Sequence, residues 1–345
     1  MAELNSFNQL KVLHWKDRIE KIIDGGFPPP VTVEIDPSNN CNHNCPHCFY
    51  KEFREGKNRH LPKKTLFNII EQLILAGVKS ITFTGGGEPL ANAHTVKALE
   101  KYSEHIDFGL VTNGGMLKGH EKIIVKHCKY VRISLDAGCE YAHKKMHCSD
   151  DYDRIVESIT TLAKLKKELK SEIEIGVTFL LNENNADELE KFVFVASGTG
   201  ADFAYIRPEI GWEKEFPKDF IPEVKKNLRR CKTYESKRFK LYINIPRINQ
   251  VVTKEKTFKR CLSTPLISVI GADGNVYLCC QWRGSPLHVI GNIYKQKFKD
   301  LWGGKRHREI LKWIDVNKCP PCRNGIYNEI FERCIINDGL RQNFL

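Results

Sequence analysis

Three cysteines in one short segment are the residues of this sequence most suited to chemistry. Cys41, Cys45 and Cys48 follow the spacing C-x3-C-x2-C. Three thiolates on one loop can hold three corners of a cubane iron–sulfur cluster and leave the fourth iron without a protein ligand. An iron with an open position can take part in chemistry, whereas a fourth cysteine would close the site and favour simple electron transfer. Zinc binding and disulfide formation are the alternatives, and His43 or His47 could complete a zinc site.

The segments around these cysteines favour the cluster. The cysteines follow residues 31–36, an apolar alternating run that is typical of a strand. Residues 81–84 form a second such run, which leads into Gly85–Pro89 with the sequence GGGEP. Together the two segments resemble the radical S-adenosylmethionine (radical SAM) superfamily, in which C-x3-C-x2-C follows the first barrel strand and a GGEP-like motif follows the second. The resemblance implies a [4Fe–4S] cluster on the three cysteines, with an open iron that binds S-adenosylmethionine (SAM).

The composition is that of an ordinary globular protein. The chain has 345 residues, of which 41% are hydrophobic, enough for one large domain and a smaller one. It contains no apolar run of ~18 residues that would span a membrane, and residues 1–10 lack the apolar stretch of a secretory signal. We therefore expect a cytoplasmic protein whose thiols stay reduced, so that its 13 cysteines bind metal rather than form disulfides.

The net charge of +12 has two interpretations. One is an anionic partner such as nucleic acid, a phosphorylated sugar or a nucleotide. The other is a set of solvated lysines on amphipathic helices, as Lys164, Lys166, Lys167 and Lys170 indicate. No RNA-binding motif is visible and the basic residues are spread along the chain, so we expect neither a nucleic-acid nor a membrane partner.

Strand-like and helix-like segments alternate from residue 31 to about 247, which favours a parallel α/β architecture. We predict six strands, at residues 31–36, 80–84, 107–112, 130–136, 173–181 and 203–207. Apolar residues at helical spacing predict helices around 66–73, 155–165 and 189–196. Six strand–helix units suit the partial (β/α)6 barrel of radical SAM enzymes, whereas eight would need more chain. The predicted divisions are a lead-in over 1–30, the barrel over 31–250 and a small cysteine-rich domain over 251–345.

The ends of the predicted strands carry further candidates, because catalytic groups in such barrels sit at the carboxyl ends of the strands. The resemblance assigns the methionine end of SAM to the glycine-rich turn, and ribose or carboxylate contacts to the third and fourth strand ends. The candidates are Gly85, Gly86, Gly87, Glu88, Asn113, Ser134 and Asp136. His47 stands at the position that lies against adenine in relatives, and His147 is nearest to the position of a carboxylate-binding arginine. Arg207, which ends the sixth strand, is a candidate for binding a carboxylate or a substrate anion, or else forms a structural ion pair.

Cysteines reappear after residue 250. Cys261 and Cys279 fit a C-x12-G-x4-C pattern, and residues 270–277 predict a β-hairpin with an Asp-Gly turn that would bring the two together. Cys319 and Cys322 form a second pair, and two such pairs suit a four-thiolate cluster. A zinc ribbon is the alternative.

This half of the chain resembles the SPASM and twitch domains that follow radical SAM barrels and hold auxiliary clusters. A full SPASM domain has a dense run of cysteines after its C-x2-C, which this sequence lacks, so the shorter twitch form is favoured. The resemblance then implies one auxiliary [4Fe–4S] cluster. Its expected ligands are Cys261, Cys279, Cys319 and Cys322, with Cys334 as an alternative ligand.

The resemblance also implies a reaction. SAM is cleaved reductively to a 5′-deoxyadenosyl radical, which takes a hydrogen atom from a substrate C–H bond. Transfer of an electron from the substrate radical to the auxiliary cluster would give dehydrogenation, and return of a hydrogen atom from a thiol would give epimerisation. The candidate hydrogen donors are Cys139, Cys148, Cys280 and Cys334, each of which is otherwise a structural thiol.

Substrate class is less strongly indicated than the chemistry. The first prediction is a polar small molecule of the sugar or aminocyclitol type, and the second is a peptide or protein residue, as in ribosomal peptide or sulfatase maturation. A third hypothesis, a non-catalytic iron–sulfur electron-transfer protein, would explain the cysteines but not Gly85–Pro89. The expected protein partner is a reductant such as flavodoxin or ferredoxin.

Overall fold

A computed structural model describes residues 8–54, 59–209, 220–253 and 255–335. The side chain of Cys334 lies outside the described residues. Residues 1–7 and 336–345, which belong to the predicted lead-in and C-terminal domain, lie outside them as well. The structure therefore bears on all the other candidate residues.

Ten β-strands of the described residues form one mixed sheet. In chain order they are β1 (Thr32–Ile35), β2 (Ser80–Phe83), β3 (Asp107–Thr112), β4 (Tyr130–Ser134), β5 (Glu174–Leu181), β6 (Phe203–Pro208), β7 (Lys240–Ile243), β8 (Ile267–Ile270), β9 (Asn275–Tyr277) and β10 (Val289–Asn292). The order across the sheet is β10-β9-β8-β1-β2-β3-β4-β5-β6-β7, and all neighbours from β8 to β7 are parallel. The six predicted strands correspond to β1–β6, so the α/β partial barrel is confirmed.

Helices follow most of these strands, as right-handed crossovers between parallel strands require. They are α1 (Lys16–Ile23), α2 (Lys51–Arg54), α3 (Lys63–Ala76), α4 (His94–Tyr102), α5 (Glu121–His127), α6 (Glu140–His147), α7 (Tyr152–Glu168), α8 (Leu189–Gly198), α9 (Phe220–Cys231), α10 (Ile245–Thr253), α11 (Phe298–Leu301), α12 (Lys305–Trp313) and α13 (Gly325–Ile330). The three predicted helices are α3, α7 and α8. Across the described ranges, no helix has both the length and the apolar character needed to cross a lipid bilayer.

The two faces of the sheet have opposite character. On β4, Val131 and Ile133 are fully buried in the core between sheet and helices, whereas Tyr130 and Arg132 point to the other face and line a cavity. Ser134 lies on the same face as these two, since side chains alternate along a strand. The helix-covered face thus holds the apolar core, and the inner face of the partial barrel is polar.

The C-terminal segment continues the same sheet. β8 pairs in parallel with β1, with Ile267 opposite Thr32 and Ile270 opposite Ile35. β8 and β9 form the predicted hairpin, whose turn closes with a hydrogen bond from the Gly274 amide to the Gly271 carbonyl. Gly274 has φ +77°, a left-handed conformation that favours glycine. The hairpin is confirmed, whereas the positions of β7 and β8 at the flanks of the predicted strands were not anticipated.

A buried carboxylate on β1 joins the barrel to the C-terminal segment. Glu34 accepts hydrogen bonds from Arg283 (3.1 Å) and Arg323, and Arg283 also pairs with Asp36 at 2.7 Å. Burial alone would raise the pKa of Glu34, but Arg323 and Arg283 outweigh it and hold that pKa below its usual range. Glu34 therefore depends on the guanidiniums of Arg283 and Arg323 to remain ionised in this buried position.

Replacement of this carboxylate provides a test of the connection. Glu34→Gln should lower the free energy of unfolding by about 1.5–3 kcal/mol, because it weakens charge-assisted hydrogen bonds from Arg283 and Arg323, while Arg283 keeps its pair with Asp36. The matched control is Glu71→Gln, which breaks a half-exposed pair with Lys101 (3.4 Å) and should cost less than about 1 kcal/mol. Urea unfolding of the anaerobically purified chain, followed by tryptophan fluorescence, gives both values. Equal midpoints for the two variants would contradict the role assigned to Glu34.

Candidate functional site

The first cysteine set lies on the loop that leaves the carboxyl end of β1. Cys41, Cys45 and Cys48 are all half-buried and unpaired, and the Cys48 amide donates to the Cys45 carbonyl (3.2 Å). A zinc ion would hold its thiolate sulfurs about 3.8 Å apart. Among the described residues, the donor atoms of His43, Cys45 and His147 lie within 4.8 Å of one another, and no such group of three or more contains two cysteines. Three half-buried thiols on one loop fit three corners of a cubane.

Cys45 is held by a buried histidine from α6. Nδ1 of His147 lies 3.4 Å from Cys45 Sγ, and its Nε2 lies 3.2 Å from the carboxylate of Asp136. Burial lowers the pKa of His147, but Asp136 and Cys45 outweigh it and raise that pKa to about 10. Although burial also disfavours the thiolate, hydrogen bonds from His147 and His43 lower the pKa of Cys45 to about 7. The pair thus favours the thiolate form that binds iron.

A second group of buried residues supports His147. His43 contacts His147 (Nδ1 to Nδ1, 3.2 Å) and donates through Nε2 to Asp151 at 2.9 Å. Asp151 also pairs with His143 at 3.0 Å, and the ring of His143 stacks on that of His147. These partners fix the orientation of His147, which contacts the predicted cluster ligand Cys45. Residues that hydrogen-bond to metal ligands orient those ligands in the same way. His43, His143 and Asp151 were not predicted as a set, although the spacing of His143 and His147 places them on one helical face.

The glycine-rich turn after β2 packs directly on the cysteine loop. A Cβ added to Gly87 would overlap the backbone of Asn39 and Asn40, and one added to Gly85 would overlap the Gly87 carbonyl. A Cβ on Gly86 would lie 2.8 Å from the ring of Phe53. The three glycines are thus explained by close approach of two loops, the arrangement through which backbone groups can also reach a ligand.

Glu88 locks this turn to the end of β3. Its carboxylate accepts hydrogen bonds from the Thr112 hydroxyl (2.7 Å), the Asn113 amide (2.9 Å) and the Leu90 amide (3.1 Å). Burial raises the pKa of Glu88, and these three donors oppose that shift. Both oxygens are engaged within the protein, so Glu88 positions the loop.

Asn113 reaches the cysteine loop from β3. Its Nδ2 donates to Cys41 Sγ at 3.4 Å and to the side chain of Asn42 at 2.9 Å. Burial raises the pKa of Cys41 to about 11, in contrast to Cys45. The structure therefore brings the candidate Asn113 against a candidate cluster ligand.

The other predicted SAM residues lie at the same edge of the sheet. Asp136 follows β4 with φ 54°, and its Oδ1 accepts from the Leu180 amide at 2.5 Å. Ser134 is half-buried at the end of β4. His47 is half-buried beside His147, with ring centroids 6.1 Å apart, and burial lowers its pKa, an effect to which Arg207 adds. The carboxyl ends of β1–β4 thus gather the predicted residues on one side of the barrel.

The C-terminal cysteines surround one small cavity. Its lining includes Cys261, Cys279, Cys319 and Cys322, together with Cys280. Burial raises the pKa of each of the four predicted ligands. The indole of Trp282 also lines the cavity, and its N–H faces the Cys319 thiol. Four thiols and a neighbouring N–H donor fit a cluster whose sulfur atoms accept hydrogen bonds.

A cavity of about 1750 Å³ occupies the inner face of the sheet. Its wall includes Arg207 near the first cysteine loop, and Cys280 and Arg323 next to the second cysteine set. Of the candidate hydrogen donors with described side chains, only Cys280 lines it; Cys139 contacts Glu188 (3.5 Å) and Cys148 is exposed after α6. The cavity thus adjoins the second cysteine site, whereas its described wall includes no residue of the first cysteine loop.

Family comparisons agree with this arrangement. Residues 35–195 match the family described as the radical SAM superfamily, and residues 261–324 match the iron–sulfur cluster-binding domain SPASM. Similar curated proteins include the radical SAM cyclopropyl synthase TigE of Paramaledivibacter caminithermalis (28% identity, 48% of this chain) and the GTP 3′,8-cyclase of Staphylococcus saprophyticus (32% identity, 34% of this chain). The match spans 38% of the length of each of these relatives.

Solved structures show the same fold. Streptococcus suis SuiB bound to SAM superposes with a TM-score of 0.67 at 15% identity, over 90% of this chain and 75% of that one. The enzyme anSMEcpe with bound SAM superposes with a TM-score of 0.59 at 20% identity, over 82% and 83% of the two chains. The two matched domains imply a [4Fe–4S] cluster with SAM and an auxiliary cluster, and the two cysteine sets fit these groups. The chain thus carries a radical SAM domain over residues 35–195 and a C-terminal SPASM-type iron–sulfur domain over residues 261–324.

Proposed function

We propose that this protein cleaves SAM reductively and removes a hydrogen atom from a C–H bond of a polar substrate bound in the large cavity. The observation that carries the proposal is the cavity on the inner face of the sheet, whose wall includes the predicted candidates Arg207 and Cys280. The cluster and SAM, when bound, supply a 5′-deoxyadenosyl radical. A reduced flavodoxin or ferredoxin would provide the electron.

The chain's own residues would hold and orient the cysteine loop and enclose the substrate. His147 and Asn113 place hydrogen-bond donors beside Cys45 and Cys41, and Glu88 fixes the turn that packs on their loop. The inner face of the sheet offers hydroxyl, carboxylate and guanidinium groups to the substrate. Enclosure by the barrel limits the water that could quench a reactive species.

Two outcomes follow hydrogen removal, dehydrogenation or epimerisation. The SPASM-type cysteine set adjoins the cavity, which favours electron transfer from the substrate to an auxiliary cluster and hence dehydrogenation. Cys280 is a buried thiol in the same wall and is the candidate for returning a hydrogen atom. Product analysis in D2O separates them, because a dehydrogenated product has lost two hydrogens and an epimer carries one deuterium at the attacked carbon.

The first substrate class is a sugar-like or aminocyclitol-like molecule. The inner wall carries Thr82, whose hydroxyl bonds to that of Tyr130 at 2.9 Å, and Tyr205, whose hydroxyl accepts from Asn244 at 2.8 Å; polar groups of this kind suit a polyhydroxylated ligand. The relative GTP 3′,8-cyclase also acts, by its name, on a small polar molecule.

The second class is a residue of a peptide or protein. The cavity volume of about 1750 Å³ exceeds the roughly 300–1,000 Å³ of usual small-molecule sites, so a peptide segment would fit. SuiB, which shares the fold, has been solved with the precursor peptide SuiA.

Formation of 5′-deoxyadenosine distinguishes these classes. The protein is reconstituted without oxygen, and SAM, a reductant and either the small-molecule or the peptide fraction of a host extract are added. We expect the small-molecule fraction to stimulate 5′-deoxyadenosine formation. Stimulation by the peptide fraction alone would make the second class the leading one.

A non-catalytic electron-transfer protein is the remaining hypothesis. Cys45→Ala or Gly85→Val should abolish SAM cleavage, since the first removes a cluster ligand and the second overlaps the glycine-rich turn. SAM cleavage that is unaltered in clean preparations of both variants would refute the site assignment.

Gly87→Ala tests the contact between the glycine turn and the cysteine loop. The added methyl group overlaps the backbone of Asn39 and Asn40, so we expect the loop to be displaced, about four iron atoms per chain to be lost and SAM cleavage to stop. The control is Gly198→Ala, where the methyl group meets nothing within 4 Å. Iron content after reconstitution and SAM cleavage are measured for both. Full iron content in Gly87→Ala would show that the loop tolerates the displacement.

A further inference from the structure

Three arginines in the wall of the large cavity form no ion pair with a carboxylate of the described residues, although Glu34 acts on Arg132 and Asp136 acts on Arg207 at longer range. Arg132 on β4, Arg207 on β6 and Arg247 in α10 all line it. Within the described ranges, no carboxylate lies within 4.0 Å of any of them, and the Nε of each is buried without a hydrogen-bond partner. The contact that Arg132 does make is with the ring of Tyr205, 5.8 Å from its guanidinium. These side chains differ from Arg283 and Arg323, which are paired with Glu34.

The wall of the cavity as a whole carries an excess of positive charge. Nine lysines and arginines line it, against the three glutamates Glu34, Glu172 and Glu174. Glu34 is already engaged by two guanidiniums from outside this group of three arginines. An excess of positive charge on the concave inner wall of a sheet concentrates anions.

The three guanidiniums also oppose one another. Burial lowers the pKa of Arg132 to about 10, and Arg207 adds to this effect. Burial likewise lowers the pKa of Arg207, and Arg247 adds to it. Buried charges without partners destabilise a folded protein, and a bound anion would relieve both the repulsion and the missing hydrogen bonds.

We infer that Arg132, Arg207 and Arg247 bind a phosphate or diphosphate ester on the substrate. Guanidinium groups match phosphate oxygens through paired N–H donors, and three of them suit a multiply charged group better than a single carboxylate. The inference rests on the proposed function, because it takes the cavity as the substrate site. It adds that the substrate is phosphorylated, with the anion placed against Arg132, Arg207 and Arg247 on the inner wall of the sheet.

The test uses inorganic pyrophosphate as the probe and the full chain with its clusters reconstituted. Binding is measured by calorimetry without reductant at constant ionic strength. We expect Arg132→Gln, Arg207→Gln and Arg247→Gln each to weaken binding by about tenfold or more, because each removes charge-assisted hydrogen bonds. Arg230→Gln is the matched control, since Arg230 is exposed, is 3.7 Å from Glu190 and lies outside the cavity wall. It should leave the dissociation constant within about twofold of the wild type.

Thermal unfolding checks that the variants are folded. Without pyrophosphate, the three cavity variants should melt at or above the temperature of the wild type, since each removes an unpaired buried charge. Arg→Lys at the same positions keeps the positive charge but loses the paired N–H donors of the guanidinium. These variants should bind pyrophosphate with intermediate affinity.

Three results would overturn the inference. They are no pyrophosphate binding by the wild type, equal weakening in Arg230→Gln and the cavity variants, and tighter binding of hexaglutamate than of pyrophosphate, which would assign the arginines to carboxylates. Failure of the proposed function is a separate result. It would appear as no reductive SAM cleavage, in an assay that contains no pyrophosphate.

Discussion

The buried charge of Glu34 is the interaction on which the rest of the structure depends. β1 lies inside the sheet, with β2 on one side and β8 on the other, and the loop at its carboxyl end carries the first cysteine set. Glu34 on this strand is buried and is balanced by Arg283 and Arg323, the second of which directly follows Cys322. Because a buried carboxylate needs its partners, the barrel and the C-terminal segment must assemble together. The two cysteine sites are thereby held in a fixed relation through one strand.

The polar inner face of the sheet accounts for the cavity and for the free-energy cost of keeping charged side chains there. Apolar side chains from the other face, such as Val131 and Ile133, pack against the helices and supply the core. The alternation of a strand then directs Arg132 inward, where an ordinary closed barrel would have branched apolar residues. Retained charges that lower stability are typical of functional sites, since they are selected for the ligand rather than for the fold. Among the described residues, Arg283 and Arg323 pair with Glu34, whereas Arg132, Arg207 and Arg247 form no ion pair with a carboxylate, and the proposed anion site rests on this difference.

The predictions that were confirmed rest on local sequence periodicity. The features that were missed depend on pairing between residues far apart in the sequence. β1–β6, α3, α7, α8 and the Asp-Gly hairpin all follow from patterns within a dozen residues. β8 has an equally strand-like sequence, but its parallel pairing with β1 joins residues more than 200 positions apart, which no local pattern encodes. Arg132 was overlooked for the same reason, because a charged residue within a strand is ambiguous until the sheet is known to enclose a cavity. Spacing identified the cysteines as candidate ligands because they share short loops, whereas the contact of His147 with Cys45 joins α6 to that loop across 102 positions.

The environment of the first cysteine loop is therefore set by its neighbours more than by the loop itself. Asn113, after β3, donates to Cys41, and His147, at the end of α6, contacts Cys45. Burial alone would raise the pKa of both thiols, and it does so for Cys41, but the charged imidazole reverses the effect at Cys45. Asp136 lies on the other side of His147 and raises the pKa of that histidine; it has φ 54°, a left-handed conformation that aspartate adopts more readily than most residues. Asp136 after β4 thus acts on Cys45 after β1 through His147, and His43 adds to the effect. The sequence motif identifies the candidate ligands, and packing of the neighbouring elements lowers the pKa of Cys45 while burial keeps that of Cys41 raised.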